Sequence, residues 1–183
     1  AITKAGQLSL QGKMPDNRRV KIQSCFRPSQ IPLRLELERL QPNLSIKFPR
    51  VVSNDEFLLV EEWIDGTPLN KLPSTKALSY ASRLYDLLNQ FQNDPSLVAL
   101  AQNHLNSFCY LNDYLISRLN VWSHWQPVKA LIEEWLKSEN SVAGSLPNFL
   151  SHPDLSLSNL ILEHSTDKLY VIDNELFGVG QSW

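Results

Sequence analysis

The sequence predicts an α+β protein of two unequal lobes, and three observations carry that reading. Short strand-like stretches crowd the first third of the chain, helical periodicity begins only after a polar tract at 65–75, and aliphatic strand-like pieces return near residue 148. At 183 residues the chain suits one domain or two small lobes and can bury a sizeable core. Hydrophobic residues make up 43% and charged residues 20%, the ordinary balance of a soluble globular protein. The net charge of −2 supplies no field that would gather nucleic acid or an anionic membrane. Apolar runs such as "FLLV" fall far short of a bilayer span, so neither nucleic acid nor membrane is an expected partner. The opening "AITKAGQLSLQGK" lacks the apolar core and cleavage site of a signal peptide. Cys25 and Cys109 fall in no metal spacing and no CxxC pair, and read as buried thiols of a reducing compartment, by default the cytoplasm. The chain starts without methionine and stops at Trp183, which reads as part of a longer product.

In chain order, "QLSLQGK" alternates polar and apolar residues as half of a hairpin. "RRVKIQSCF" is a second strand, with Val20, Ile22 and Ser24 on one face and Lys21 on the other. In "PSQIPLRLELERLQ", Leu33, Leu37 and Leu40 form a helical stripe with Glu36 beside it, ended by Pro42 and Asn43. "IKFPRVVSNDEFLLVEEWI" gives two strands around the turn "SNDE". The tract "DGTPLNKLPST" reads as a linker in which Gly66, Pro68 and Pro73 exclude regular structure. Beyond it, Ser74 or Thr75 caps a helix with Ala77, Ala81, Leu84, Leu88 and Phe91 at helical spacing. An Asp-Pro signal at 94–95 starts a second helix or helix pair, and "QPVKALIEEWLKSEN" is a third, with Val128, Leu131, Ile132 and Trp135 on one face. "NFLSH", "NLILE" and "KLYVIDNE" then read as three short strands.

The chemistry gathers in "SHPDLSLSNLILE" and "LYVIDNE". An aspartate and an asparagine five apart on a loop leading into a strand, Asp154 and Asn159, can face one cleft. A tight hairpin through "EHSTDK" would return Asp173 to the neighbourhood of Asn159. A carboxylate and an amide oxygen held together suit a hard cation such as Mg²⁺, leaving Asp154 free to accept a proton from a substrate hydroxyl. The blander alternative makes Asp154 and Asn159 loop caps bonded to nearby backbone N–H groups.

HxDxxxxN followed about twenty residues later by a strand ending in aspartate resembles the catalytic and metal-binding loops of the protein-kinase-like fold. More narrowly, it is similar to the aminoglycoside phosphotransferase and choline kinase group of small-molecule kinases. That resemblance implies a small antiparallel-sheet lobe with one helix, spanning 1–64, then a mostly helical lobe spanning 65–183 with a hinge near 61–66. It implies ATP and Mg²⁺ as cofactors and a small-molecule hydroxyl as phosphoryl acceptor, of aminoglycoside, choline or sugar type. Asp154 would be the catalytic residue, with His152 beside it as an architectural member of the loop, bonding backbone near Asp173. Asn159 and Asp173 would hold the metal. Lys21 would hold the ATP phosphates and pair with Glu36 or, as second choice, Glu38, while Glu61, Glu62, Trp63 and Ile64 would line the adenine pocket. Glu175 is placed to orient a metal water or a cationic substrate.

Pro153, Asn174 and the lack of a glycine-rich loop before Lys21, where only Gly6 and Gly12 occur, depart from the group's pattern. They keep open a non-catalytic kinase-like binding module, or an inactive fragment of a larger kinase-like protein. Lys21 and Glu36 also read as solvated charges, and Trp122, Trp125 and Trp135 as packing residues rather than a cage for a cationic acceptor. His104, His124 and His164 form no ligand spacing.

Overall fold

The alternating stretches of the first third assemble into a five-stranded antiparallel sheet. In the computed structural model, which describes residues 2–4, 7–106, 130, 131, 134 and 148–181, its strands are β1 (Ile2–Lys4), β2 (Gln7–Lys13), β3 (Arg19–Ser24), β4 (Val51–Asn54) and β5 (Leu58–Glu62). Their order is β1-β2-β3-β5-β4, which sets Lys21 between Gln11 and Glu61. The β2–β3 turn closes because Asn17 tolerates a φ of 66° and Asp16 accepts the N–H of Arg18.

Helix α1 (Gln30–Leu40) packs on the face of this sheet that carries Lys21, Gln23, Leu59 and Glu61. It turns Ile31, Leu33, Arg34 and Leu37 inward, and Gln41-Pro42-Asn43 end it in a tight turn. Cys25 is buried beneath it with Ile31 and Leu59. Burial first, then the Glu61 carboxylate, pushes its thiol up to about 12, as expected of an inert structural cysteine. After α1 the chain runs parallel to a later strand: Lys47 N–H donates to Leu169 O, and Val171 N–H donates to Lys47 O, each at 2.8 Å.

The tract 65–75 is more ordered than a linker. Gly66–Pro68 forms β6, which pairs with β8 (Leu160–Glu163), itself paired with β9 (Leu169–Val171). Pro68 fits because β6 is an edge strand, where a missing N–H breaks no ladder. Gly66 fits because a Cβ there would lie 2.3 Å from Leu162 O. A single-turn segment, Leu69–Lys71, then buries Leu69.

The helix expected to start at Ser74 or Thr75 is two helices, α2 (Ser74–Leu78) and α3 (Ala81–Asn93), separated at Ser79–Tyr80. Pro73 occupies the cap position of α2, so neither hydroxyl caps it. The inward stripe is Tyr80, Leu87 and Phe91, whereas Leu88 is 44% exposed. Tyr80 sets that rotation, since its hydroxyl donates to Asp167 (2.6 Å) in the β8–β9 turn. The Asp-Pro signal does start α4 (Pro95–Asn103), with Asp94 accepting from Ser96 N and Leu97 N. Of the third expected helix, residues 130, 131 and 134 are helical and Leu131 is exposed. Val128, Ile132 and Trp135, with Cys109, Trp122, His124 and Trp125, lie outside the described residues.

β7 (Asn148–Ser151) pairs antiparallel with β10 (Gly178–Gln181). The main core lies where α1, α3, α4 and strands β7–β10 meet, with Phe48, Phe91 and Phe177 in mutual ring contact at its centre. Among the described residues no helix is long and apolar enough to cross a membrane.

Replacing Gly66 by alanine sets a methyl group against fixed backbone rather than a movable side chain. Gly66→Ala is expected to lower stability by about 1–3 kcal/mol in urea unfolding, and an unchanged midpoint would show that β6 does not approach β8 this closely.

Candidate active site

Two charged side chains from distant parts of the chain meet across the sheets. β3 carries Lys21 on its α1-facing side, and the chain leaving β9 reaches Asp173 in a left-handed conformation (φ 59°, ψ 48°). Aspartate adopts that conformation more readily than most residues, yet it remains uncommon enough to mark a constrained turn. The turn places the Asp173 carboxylate 2.5 Å from Lys21 Nζ, with Glu175 Oε2 at 3.8 Å from the same ammonium. Lys21 thus faces two carboxylates in a half-buried setting.

The loop from His152 to Asn159 is built of successive tight turns: Leu155 N–H donates to His152 O, Ser156 N–H to Asp154 O, and Asn159 N–H to Ser156 O. Asn159 closes it. Its Nδ2 donates to Asp154 O (2.8 Å), and its own carbonyl accepts from Ile172 N–H (2.8 Å). The hairpin therefore does bring the Asp173 turn back beside Asn159. The Asn159 side chain caps a carbonyl rather than an N–H, which leaves its Oδ1 as the acceptor atom of a buried amide.

His152 is buried, and it does not bond backbone near Asp173: neither ring nitrogen has a hydrogen-bond partner among the described residues. The ring lies in the core, 6.4 Å from the Phe177 ring centroid. Asn174 acts on it electrostatically without the geometry of a bond. Burial dominates and pushes its pKa down to about 4, against smaller upward pulls from its own backbone, Asp154 and Asn174.

A cleft of about 270 Å³ opens between the end of β5 and strands β8 and β9. Lys21, Glu61, Glu62, Trp63 and Ile64 all line it, together with Arg19, Ile161 and Ile172. Trp63 N–H bonds Arg19 O, and the Arg19 guanidinium sits 5.4 Å over the Trp63 ring while pairing with Asp65 at 3.2 Å. Ile161 and Ile172 are apolar walls not singled out from sequence, although each stands in the aliphatic run beside Asn159 or Asp173.

The expected partnership of Lys21 with a glutamate of α1 is absent. Glu36 lies 3.2 Å from His104 Nε2, and Glu38 accepts from Val51 N–H. The helix explains this: Leu33, Arg34 and Leu37 face inward, and Glu36 follows Arg34 by two positions, about 200° around the axis. α1 instead sends Arg34 into the sheet, where Nη2 donates to Glu61 Oε1 at 2.7 Å and to Pro49 O at 3.1 Å. Glu61 lines the cleft with its carboxylate held by that buried pair, and its backbone lies between β3 and β4. Arg34 and Gln30 carry no signal in the sequence, and Asn174 stands out there only as a departure from the group's pattern, because tertiary partners alone distinguish them from solvated polar residues.

Against known structures this architecture is that of the kinase-like fold found in aminoglycoside phosphotransferases. The GDP and kanamycin complex of APH(2'')-IIia superposes with a TM-score of 0.58 at 14% identity, covering 98% of this chain and 70% of that one. The streptomycin–ATP complex of APH(2'')-IIa gives 0.51 at 20% identity over 95% and 67% of the two chains. The ADP-bound aminoglycoside phosphotransferase APH(2'')-Ib gives 0.50, also at 20%, over 96% and 67%. At such identities the likeness defines the fold. No family model matches the sequence, and no curated protein does.

His152 carries a pH prediction. Between pH 6.5 and about 4 the unfolded chain takes up a proton on this imidazole while the folded chain does not, so stability falls as pH drops through that window. The loss from this one group reaches about 3 kcal/mol at its acid end. His152→Gln should flatten that part of the stability–pH curve measured by urea unfolding, and an unaltered slope would exclude His152 as its source.

Proposed function

We propose that the chain is an ATP-dependent phosphotransferase acting on the hydroxyl of a small molecule. The observation that carries the reading is the meeting of Lys21 with Asp173 at a cleft lined by Glu62, Trp63 and Ile64, with Asn159 bonded into the turn before Asp173. Residues 1–64 would form the nucleotide-binding lobe and 65–183 the lobe carrying the catalytic and metal-binding loops, in a cytoplasmic protein.

The donor set fits Mg²⁺: the Asp173 carboxylate and the Oδ1 of Asn159, whose Nδ2 is bound to Asp154 O, are hard oxygen ligands, too few for a closed cage and suited to an ion that keeps phosphate and water. Bound there, the ion would neutralise charge on the transferring phosphate. The chain's own residues do the rest. The walls of the cleft, among them Glu62, Trp63 and Ile64, would hold the base. Lys21, held against Asp173 and Glu175, would exchange these carboxylates for phosphate oxygens. Asp154, half-buried on the loop that Asn159 clamps, would orient the acceptor hydroxyl and accept its proton. Transfer of this kind depends mainly on positioning and charge stabilisation.

The test is a thermal-shift and turnover series. Mg-ATP at a hundredfold excess over Kd should raise the Tm by about 5–10 °C, and ATP with EDTA by much less. With an accepted alcohol from an aminoglycoside, choline, amino-alcohol and sugar panel, Asp154→Asn should cut kcat by about 10²–10⁴ while keeping the Mg-ATP shift. Asp173→Asn should remove the metal-dependent part of the shift. Absence of any metal-dependent shift in the parent chain would instead favour a binding module without catalysis, the reading that Pro153 and the missing glycine-rich loop motivate.

A further inference from the structure

Helix α1 grips the turn that carries Asp173 at two points one helical turn apart. Gln30 Nε2 donates to the carbonyls of Glu175 and Phe177, both at 2.9 Å, while its Oε1 accepts from Phe26 N–H and Arg27 N–H. Arg34 reaches the same turn through Glu61. The Glu61 Oε1 that accepts from Arg34 at 2.7 Å lies 3.5 Å from Asn174 Nδ2, which also donates to Val171 O at 3.3 Å. Gln30, Arg34, Glu61 and Asn174 are each 1–3% exposed.

We infer that Arg34 and Glu61 are positioning residues for Asp173: the pair joins α1 and β5 to Asn174, the next residue in the chain, and thereby holds the left-handed turn that aims Asp173 at Lys21. Stability alone is a poor reason for the pair. Among the described residues Arg34 Nε and Nη1 and Glu61 Oε2 make no hydrogen bond, and a buried ion pair with unfilled valences is no more stable than a well-packed apolar pair of similar volume. What the pair supplies is direction. Arg34 packs against the touching Phe48 and Phe177 rings, 4.9 and 5.9 Å from their centroids, so its guanidinium has little freedom to follow a displaced partner. Glu61 is also the cross-strand neighbour of Lys21, so one residue adjoins Lys21 through the sheet and the Asp173 turn through Asn174. The kinetic consequence rests on the phosphotransferase reading, whereas the structural one stands on this geometry.

The experiment compares the full chain with Arg34→Met/Glu61→Leu, which exchanges the ion pair for an apolar one. The double variant is expected to unfold at the parent's urea concentration or above. Even so, the Ile172 and Phe177 amides should exchange with solvent about tenfold faster, and Mg-ATP should bind about tenfold more weakly. Asn174→Ala cuts the link at its other end with the pair in place, and should give the same local exchange increase, so the inference stays testable if the double variant does not fold. Parental exchange rates and parental Mg-ATP affinity in a stable variant would overturn it. If the parent binds no Mg-ATP, the phosphotransferase reading fails, and the amide exchange still decides the positioning role.

Discussion

A buried ion pair that ties one helix to one strand sets the arrangement on which the rest of this molecule depends. Arg34 and Glu61 are both almost fully enclosed, and neither charge could be left there without the other except at a cost of about 3–5 kcal/mol. Their meeting fixes which side of α1 faces the five-stranded sheet. That choice then sends Leu33 and Leu37 into the main core, Ile31 toward Leu59, and leaves Glu36 and Glu38 half-buried on the flanks, against His104 and Val51 N–H. It also decides that the helix meets the sheet as cation to anion, with the anion on β5, the reverse of a strand lysine answered by a helix glutamate. Lys21 is consequently answered from the other side of the cleft, by Asp173 and Glu175.

The elements whose patterns are local were legible in the sequence. β3 and β5 follow their alternation and β8 and β9 their short continuous apolar runs, and the Asp-Pro start of α4 carries its own cap. β6 was illegible because three residues at a sheet edge set no period, and because glycine and proline there serve close approach and edge position rather than chain breaking. The rotation of α3 was misread for a related reason. Leu84, Leu87, Leu88 and Phe91 allow two overlapping stripes, and the deciding bond, from Tyr80 to Asp167, spans 87 residues.

The site divides in the same way. The loop from His152 to Asn159 and the return of Asp173 through a hairpin are short-range geometry, and the sequence spacing contains them. The charge partners are not short-range. Within "LRLELERL" each charged residue looks like a solvated one, and only β5, 27 residues onward, selects Arg34 for burial. His152 illustrates the limit at a single residue: its place beside the core follows from the apolar strand before it, whereas the absence of a backbone acceptor around its ring depends on how Phe177 and Asn174 pack.

The edge strand β6 has a mechanical side. Between Glu62, the last residue of β5, and Gly66, the first of β6, stand only Trp63, Ile64 and Asp65, with Trp63 N–H bonded to Arg19 O and Asp65 O accepting from His164 N–H. Four Cα steps span about 14 Å at full stretch, and a second tether, the Lys47 bridge to β9, crosses between the same sheets a few residues from β4. The strap and the bridge both lie within a few residues of the strands that wall the cleft, so together they limit how far those walls can part.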